Sequence, residues 1–361
     1  MYAVLFAGGV GQRLWPISRK NTPKQFSPII GNKSSLALAV ERLLPQCSPD
    51  QIFISTNAKY DSIVARMFPQ IPHENLLLEP VKRDLAAAVA LSFFKMYAKG
   101  LRGPVILQWA DSYIQNTDVL QQSIEVSQRL LEENPDRIIF LGEIPRFPNE
   151  NLGWIEHGQE LGRINDMPYY RYQSWSYRPR LDICEEMFKS GNYVWNTGYF
   201  VTTIEFIVTQ FRKLAPEITN VVEEIVKYVG TDQEQAKLLE LYPTIPSMHF
   251  DEAFLERLGP EYAVLLKGDL RWADPGSLYA LKEALQAIPE ANAVQGLISE
   301  IENTDCLFIN EDDTKVVAAM GLQGVVVVNT RDAVLVISKS SVRYLARLLA
   351  QIEKDGHPEI L

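Results

Sequence analysis

The chain opens with Met1-Tyr2-Ala3-Val4-Leu5-Phe6, passes directly into Ala7-Gly8-Gly9-Val10-Gly11-Gln12-Arg13-Leu14-Trp15-Pro16, and continues to Thr22-Pro23-Lys24-Gln25-Phe26. An apolar run followed at once by Gly8, Gly9 and Gly11 reads as a buried strand that ends in a loop another group approaches closely. Such a loop presents several backbone N–H donors together. With Arg13 just beyond the last glycine and Lys24 further on, it suits a polyanion such as a nucleoside triphosphate. The G-x-x-x-x-G-K-[ST] phosphate loop is absent, and Leu14 stands where the dinucleotide fingerprint needs its third glycine. On its own, Gly-Gly-x-Gly is equally a tight turn without a ligand.

Outward from this stretch the chain alternates. Residues 34–44 (SSLALAVERLL) have helical spacing, 51–56 (QIFIST) read as a strand, 61–68 as a helix, and 75–78 (NLLL) as a strand ending at Glu79-Pro80. An alanine-rich helix over 85–97 precedes a strand at 104–109 (PVILQW) that stops at Ala110-Asp111; a helix over 119–132 and a strand over 137–142 follow. This is the pattern of a mostly parallel α/β sheet, in which ligands bind beyond the carboxyl ends of the strands. The Gly8 loop, Glu79 and Asp111 all fall at such ends.

Residues 145–179, rich in Gly, Pro, Trp and Tyr, predict loops and hairpins over the sheet. A helix at 181–189 leads to Trp195-Asn196-Thr197-Gly198-Tyr199-Phe200 and a strand. Helices are expected at 204–214, 219–228 and 233–241, strands at 263–266 and 268–272, and a helix at 278–287. Beyond Pro289 the runs 306–310, 316–320, 325–329 and 334–338 are short and β-rich, and 342–353 is a final helix. No internal repeat stands out. The expected organisation is a catalytic domain over 1–290 and a C-terminal β-rich element with its helix over 297–361.

GGVGQRLWPISRKNTPKQF resembles, nearly position for position, the signature GGxGxRLWPxSRxxxPKQF of the sugar nucleotidyltransferases, and within them of the mannose-1-phosphate guanylyltransferases. The resemblance implies a Rossmann-like nucleotide-diphospho-sugar transferase fold. It implies that Gly8, Gly9, Gly11 and Arg13 hold the nucleoside triphosphate, with Lys24 among the phosphates. It also places the family's two metal-binding aspartates, those of PAD and WxDxG, at Asp111 and Asp274, with Mg²⁺ as the cofactor. In the sugar pocket it matches Gly153, Asn196 of WNTG and Asp251 of FDEAFLE. The family's F-x-E-K-P is here Trp175-Ser176-Tyr177-Arg178-Pro179. Arg178 can still hold a phosphate, but Tyr177 cannot replace a carboxylate that accepts two hydroxyls. Two further departures are Asp84-Leu85 for Asn-Thr after Glu79-Pro80, and Gln108-Trp109 before Ala110-Asp111.

Glu79 carries an argument of its own. Guanine offers N1–H and its N2 amino group as adjacent donors that one carboxylate accepts together, and adenine offers no such pair. A glutamate at the edge of a nucleotide pocket therefore favours guanine.

A net charge of -10 argues against a general nucleic-acid binder. No apolar run reaches membrane-span length and no signal peptide is evident, so a cytoplasmic protein is expected. Cys47, Cys184 and Cys306 form no metal spacing and read as apolar filler, and the four histidines (73, 157, 249, 357) make no metal motif. The expected partners are GTP and a sugar 1-phosphate, with a possible homodimer through the C-terminal element. Two alternatives stay open: transfer to another sugar 1-phosphate or from another nucleotide, and a non-catalytic sugar-nucleotide sensor.

Overall fold

The structure, a computed structural model, describes residues 1–8, 12–19, 23–30, 33–286, 288 and 290–361. The chain divides into two compact units, one of residues 1–8, 42–109 and 115–271, the other of 9–41, 110–114 and 272–361.

The first unit is built on nine strands: β1 (Tyr2–Phe6), β2 (Ile52–Asn57), β3 (Leu76–Glu79), β4 (Pro104–Trp109), β5 (Ile138–Glu143), β6 (Gly153–Ile164), β7 (Met167–Tyr177), β8 (Tyr193–Thr203) and β9 (Ala263–Gly268). Their order is β3-β2-β1-β4-β8-β5-β9-β7-β6. Seven run in one direction and β7 and β8 oppose them, so the mostly parallel α/β sheet expected from the alternation is present. The parallel pairs need helical crossovers, which explains the strand–helix alternation. The helix Asp84–Ala98 buries its whole run from Ala86 to Met96. Ala86, Ala87, Ala88 and Ala90 let it pack closely, and the helices Ile204–Leu214 and Pro216–Val226 lie beside it around Phe93, Phe206, Phe211 and Ile218.

Two local expectations change. Residues 153–177 do not lie over the sheet as loops: β6 and β7 form one long hairpin that extends it. The turn is Asn165-Asp166, with φ of +48° and +63°, a two-residue turn with both centres left-handed, which matches strand twist. Of the strand expected at 268–272 only the ends are strand: Gly268 closes β9, and Trp272, which belongs to the second unit, begins the pair Trp272–Ala273 that runs antiparallel to Tyr113–Ile114 of that same unit.

In the second unit Leu14, Trp15 and Ile17 pack with Ile29, Leu278, Leu281 and one face of the C-terminal strands. Ala293–Gln295, Leu307–Asn310 and Val325–Asn329 form a parallel ladder closed by antiparallel Val334–Ser338, and Ile298–Ile301 pairs parallel with Val317–Met320. The chain therefore coils back on itself, enclosing Cys306, Phe308 and Val327. The coil escapes a repeat search because its turns differ in length: Ala293 pairs with Leu307, but Leu307 with Val326. All three cysteines are buried and unbridged. Among the described residues no helix is long and apolar enough to cross a membrane.

Candidate active site

In the second unit the short antiparallel pairing Ala273↔Tyr113 and Trp272↔Ile114 sets Asp274 beside the residues that precede Tyr113. Lys24, almost wholly buried, lies with its Nζ 2.9 Å from Asp111 Oδ2 and 3.8 Å from Asp274 Oδ1, while both aspartates stay partly open to solvent. Two carboxylates from distant parts of the chain thus share one ammonium. A Cβ placed on Gly276 would meet Asp274 at 3.6 Å and Arg13 Nη1 at 3.8 Å, so a side chain there would crowd the space these groups share. Arg13, Lys24, Asp111 and Asp274 are therefore one cluster.

The stretch carrying Arg13 is secured within the same unit. Trp15 Nε1 donates to the Ile360 carbonyl at 2.7 Å, Arg19 pairs with Asp332 at 2.6 Å, and Arg19 also donates to Ile360. The charge types are telling: two acids with one lysine suit a hard divalent cation that takes few carboxylates and completes its shell from phosphates and water. Among the described residues no group of three or more His, Cys, Asp or Glu could hold a metal without such help.

In the first unit Gly8 and Glu79 follow β1 and end β3, at the carboxyl edge of four adjacent parallel strands. The end of β1 is held by Ala7 N–H to Ser55 O at 2.8 Å and by Thr56 Oγ1 to Ala7 O at 2.9 Å, and among the described residues nothing lies within 4 Å of a Cβ placed on Gly8. Gly9 and Gly11 lie outside the described residues. Glu79 accepts a hydrogen bond from the Tyr242 hydroxyl at 2.6 Å, and burial pushes its carboxyl up to about 7 against that hydrogen bond.

Of the residues expected in a sugar pocket, Gly153, Tyr177 and Asn196 lie on three neighbouring strands. Gly153 of β6 pairs with Tyr177 of β7, and a Cβ on Gly153 would lie 3.3 Å from the Asn196 side chain of β8. Asn196 sits at a register break in β8, where its Oδ1 accepts from Gly198 N–H at 2.8 Å. Tyr177 is 54% exposed, and the Arg178 guanidinium lies 5.2 Å from its ring. Asp251 begins a π-helical turn, Asp251–Leu255, and burial raises its carboxyl. Gly153, Tyr177 and Asn196 are thus brought together with Arg178 beside them; Asp251 comes from a separate element.

Two further residues belong to these surroundings: Trp109, noted in the sequence only as a departure from the motif, and Tyr242, which motif reading missed. Trp109, in place of the family's proline, packs against Phe6, Phe200 and Phe250, and its ring fills the space over Gly198. The sequence showed the substitution; that its ring lies over Gly198 is visible only in the structure. Tyr242 gave no signal: it lies far from Glu79 in sequence and in no motif.

Residues 2–291 match the family model "Nucleotidyl transferase" and residues 300–350 match "MannoseP isomerase/GMP-like beta-helix domain". The chain is 29% identical over 359 residues to a mannose-1-phosphate guanylyltransferase of Klebsiella pneumoniae, covering 99% of this chain and 74% of that one. It is 28% identical over 364 residues to the mannose-1-phosphate guanylyltransferase of Escherichia coli strain K12, covering 99% and 75%. Among solved structures it is similar to a mannose-1-phosphate geranyltransferase from Thermus thermophilus, with a TM-score of 0.84 and 27% identity over 98% of this chain and 99% of that one.

Proposed function

We propose that this chain, which belongs to the nucleotidyl transferase family, transfers GMP from GTP to a sugar 1-phosphate, first of all mannose 1-phosphate, giving GDP-mannose and pyrophosphate. The observation that carries the reading is Lys24 seated between Asp111 and Asp274, with Arg13 at the same glycine. The names of its relatives support guanylyl transfer to mannose 1-phosphate.

In the reaction an oxygen of the sugar phosphate forms a bond to the α-phosphorus of GTP as the bond to the leaving pyrophosphate breaks. Both reactants are polyanions, so positioning and charge neutralisation dominate. Arg13 and Lys24 supply fixed positive charge to the triphosphate, and the glycine loop supplies backbone donors. Asp111 and Asp274 would hold Mg²⁺, which when bound neutralises phosphate oxygens. Glu79 accepts from guanine; Gly153, Asn196 and Asp251 take the sugar, and Arg178 its phosphate. Tyr177 gives the pocket an aromatic hydroxyl where the family uses a carboxylate. A homodimer through the C-terminal element belongs to the same reading, supported by Val334, Val336 and Met320, each more than 60% exposed on its strands; a monomeric mass by light scattering would remove it.

The test is pyrophosphate release with Mg²⁺, crossing GTP, ATP, UTP and dTTP with mannose, glucose, fucose and heptose 1-phosphates. Selective release with GTP and mannose 1-phosphate is expected. Release with another pair keeps the chemistry and reassigns the pocket, and silence with nucleotide binding intact makes the chain a sensor. Asp111→Asn should lower kcat by about 10²–10³-fold, the scale of losing one electrostatic stabiliser, while the protein keeps its fold, read as an unchanged far-UV circular dichroism spectrum. Unaltered turnover would refute the metal assignment.

A further inference from the structure

The segment after the helix Glu234–Leu241 is stitched to the stretch that begins at Glu79. Tyr242 Oη donates to Glu79 Oε2 at 2.6 Å, Arg83 donates to the Pro243 carbonyl, Ser247 Oγ donates to Asp84 Oδ2 at 2.8 Å, and Ala86 N–H donates to Met248 O at 3.3 Å. Lys95, from the helix that follows this stretch, holds Glu234 at 2.7 Å and so fixes the helix before Tyr242. Tyr242 itself is fully buried, with its ring in the main core. A buried phenol aimed at one carboxylate oxygen is unusual for a surface turn, because it costs the hydroxyl its water.

We infer that Tyr242 is a positioning residue for base selection, holding the Glu79 carboxylate in the one rotamer in which its remaining lone pairs face guanine N1–H and the N2 amino group. The inference rests on the reading of Glu79 given above. Its physics is that of a charge-assisted hydrogen bond: the phenol donates to the ionised carboxylate and occupies one lone pair of Oε2, and Oε1 stays open. A protonated Glu79 would present an O–H and lose one of the two acceptors that guanine needs. Burial already works against ionisation here, and the Tyr242 hydrogen bond opposes it. Among the described residues the charged groups beside this pair are Arg83, which acts on Tyr242, and Lys82 with Asp84, which lie 3.8 Å apart as a pair.

The experiment compares wild type, Tyr242→Phe, Glu79→Gln and the double variant in steady-state pyrophosphate release, with GTP and ATP as donors, from about pH 6 to pH 9. Loss of a hydrogen bond to a charged group predicts a KM for GTP raised about tenfold near pH 7 with kcat within about twofold. The acid limb of kcat/KM for GTP should move to higher pH, and the variant should recover most of its GTP selectivity at the alkaline end, where the carboxylate ionises without help. In the double variant the GTP-to-ATP ratio should equal that of Glu79→Gln alone, since Tyr242 acts only through Glu79. A Tyr242→Phe defect that is the same at every pH, or that adds to that of Glu79→Gln, would overturn the inference and leave Tyr242 a core residue. An unchanged base ratio in Glu79→Gln would instead overturn the reading of Glu79 on which it stands.

Discussion

Gly198 is the residue at which sequence and packing bear most directly on each other. Its φ is +74°, and a Cβ there would come within 2.1 Å of the Trp109 ring. Phe6, Phe200 and Phe250 pack against this ring at centroid distances of 5.1 to 6.3 Å, so displacing it disturbs the whole aromatic cluster. Gly198→Ala therefore combines a left-handed penalty of about 1–2 kcal/mol with an overpacking cost of about 1–3 kcal/mol. Gly191 supplies the control: its φ is +71° and nothing lies within 4 Å of its would-be Cβ. Urea unfolding of the two alanine variants should show Gly198→Ala losing at least about 1 kcal/mol more than Gly191→Ala. Equal losses would mean that the Trp109 contact contributes nothing. The same packing bears on turnover, because Gly198 donates to Asn196 and any shift of the bulge moves that amide.

At the scale of elements, strand and helix alternation was legible wherever one periodicity ran for a full element. The strand Pro104–Trp109 and the helix Ile204–Leu214 were read to the residue, because an apolar run bounded by proline and an amphipathic run opened by a threonine cap leave little choice. The cluster of Arg13, Lys24, Asp111 and Asp274 was legible because each belongs to a motif. What could not be read were pairings that depend on three-dimensional return of the chain: the β6–β7 hairpin joining the sheet, the unequal coils after Ala293, and Tyr242 reaching Glu79. A further unread pairing makes a test. Lys282, 1% exposed on the helix Leu278–Leu285, meets Asp305 at 2.6 Å, and Lys339 and Tyr279 reach the same carboxylate. Asp305 has a φ of +56°, which asparagine also tolerates, so Asp305→Asn isolates the charge. It removes the carboxylate charge that lies 2.6 Å from a buried ammonium, and denaturant unfolding should show a loss of about 3 kcal/mol. Adding Lys282→Met should restore most of it; a double variant as weak as the single one would show that the ion pair is not the cause.

Over the whole molecule the buried carboxyls set how stability follows pH. Burial raises Glu79 from 4.5 to about 7 and raises Asp251, Glu283 and Glu311 as well. Each of these keeps its proton longer in the folded chain than in the unfolded one. Between the unfolded value and the folded one the folded state binds more protons, so stability falls as pH rises through that window. Asp305 runs the other way: burial opposes its ionisation, but hydrogen bonds from Lys282, Lys339 and Tyr279 hold it below 3.8. Its contribution is complete above the unfolded value and is lost as pH falls through the folded one. Taken together these groups contribute most on the acid side of neutrality, above the range in which Asp305 loses its charge and below the one in which Glu79 ionises. Guanine recognition wants the opposite, since it needs Glu79 ionised, and GTP should protect the fold more strongly as pH rises toward 8. The slope assigned to Glu79 is at most about 1.4 kcal/mol per pH unit between pH 5 and 7. Denaturation midpoints without nucleotide should therefore fall across that range in wild type and fall less steeply in Glu79→Gln, whose amide does not titrate. Parallel curves for the two proteins would show that Glu79 titrates as an ordinary surface carboxyl, and the opposing pH demands of folding and of base recognition would then have no common residue.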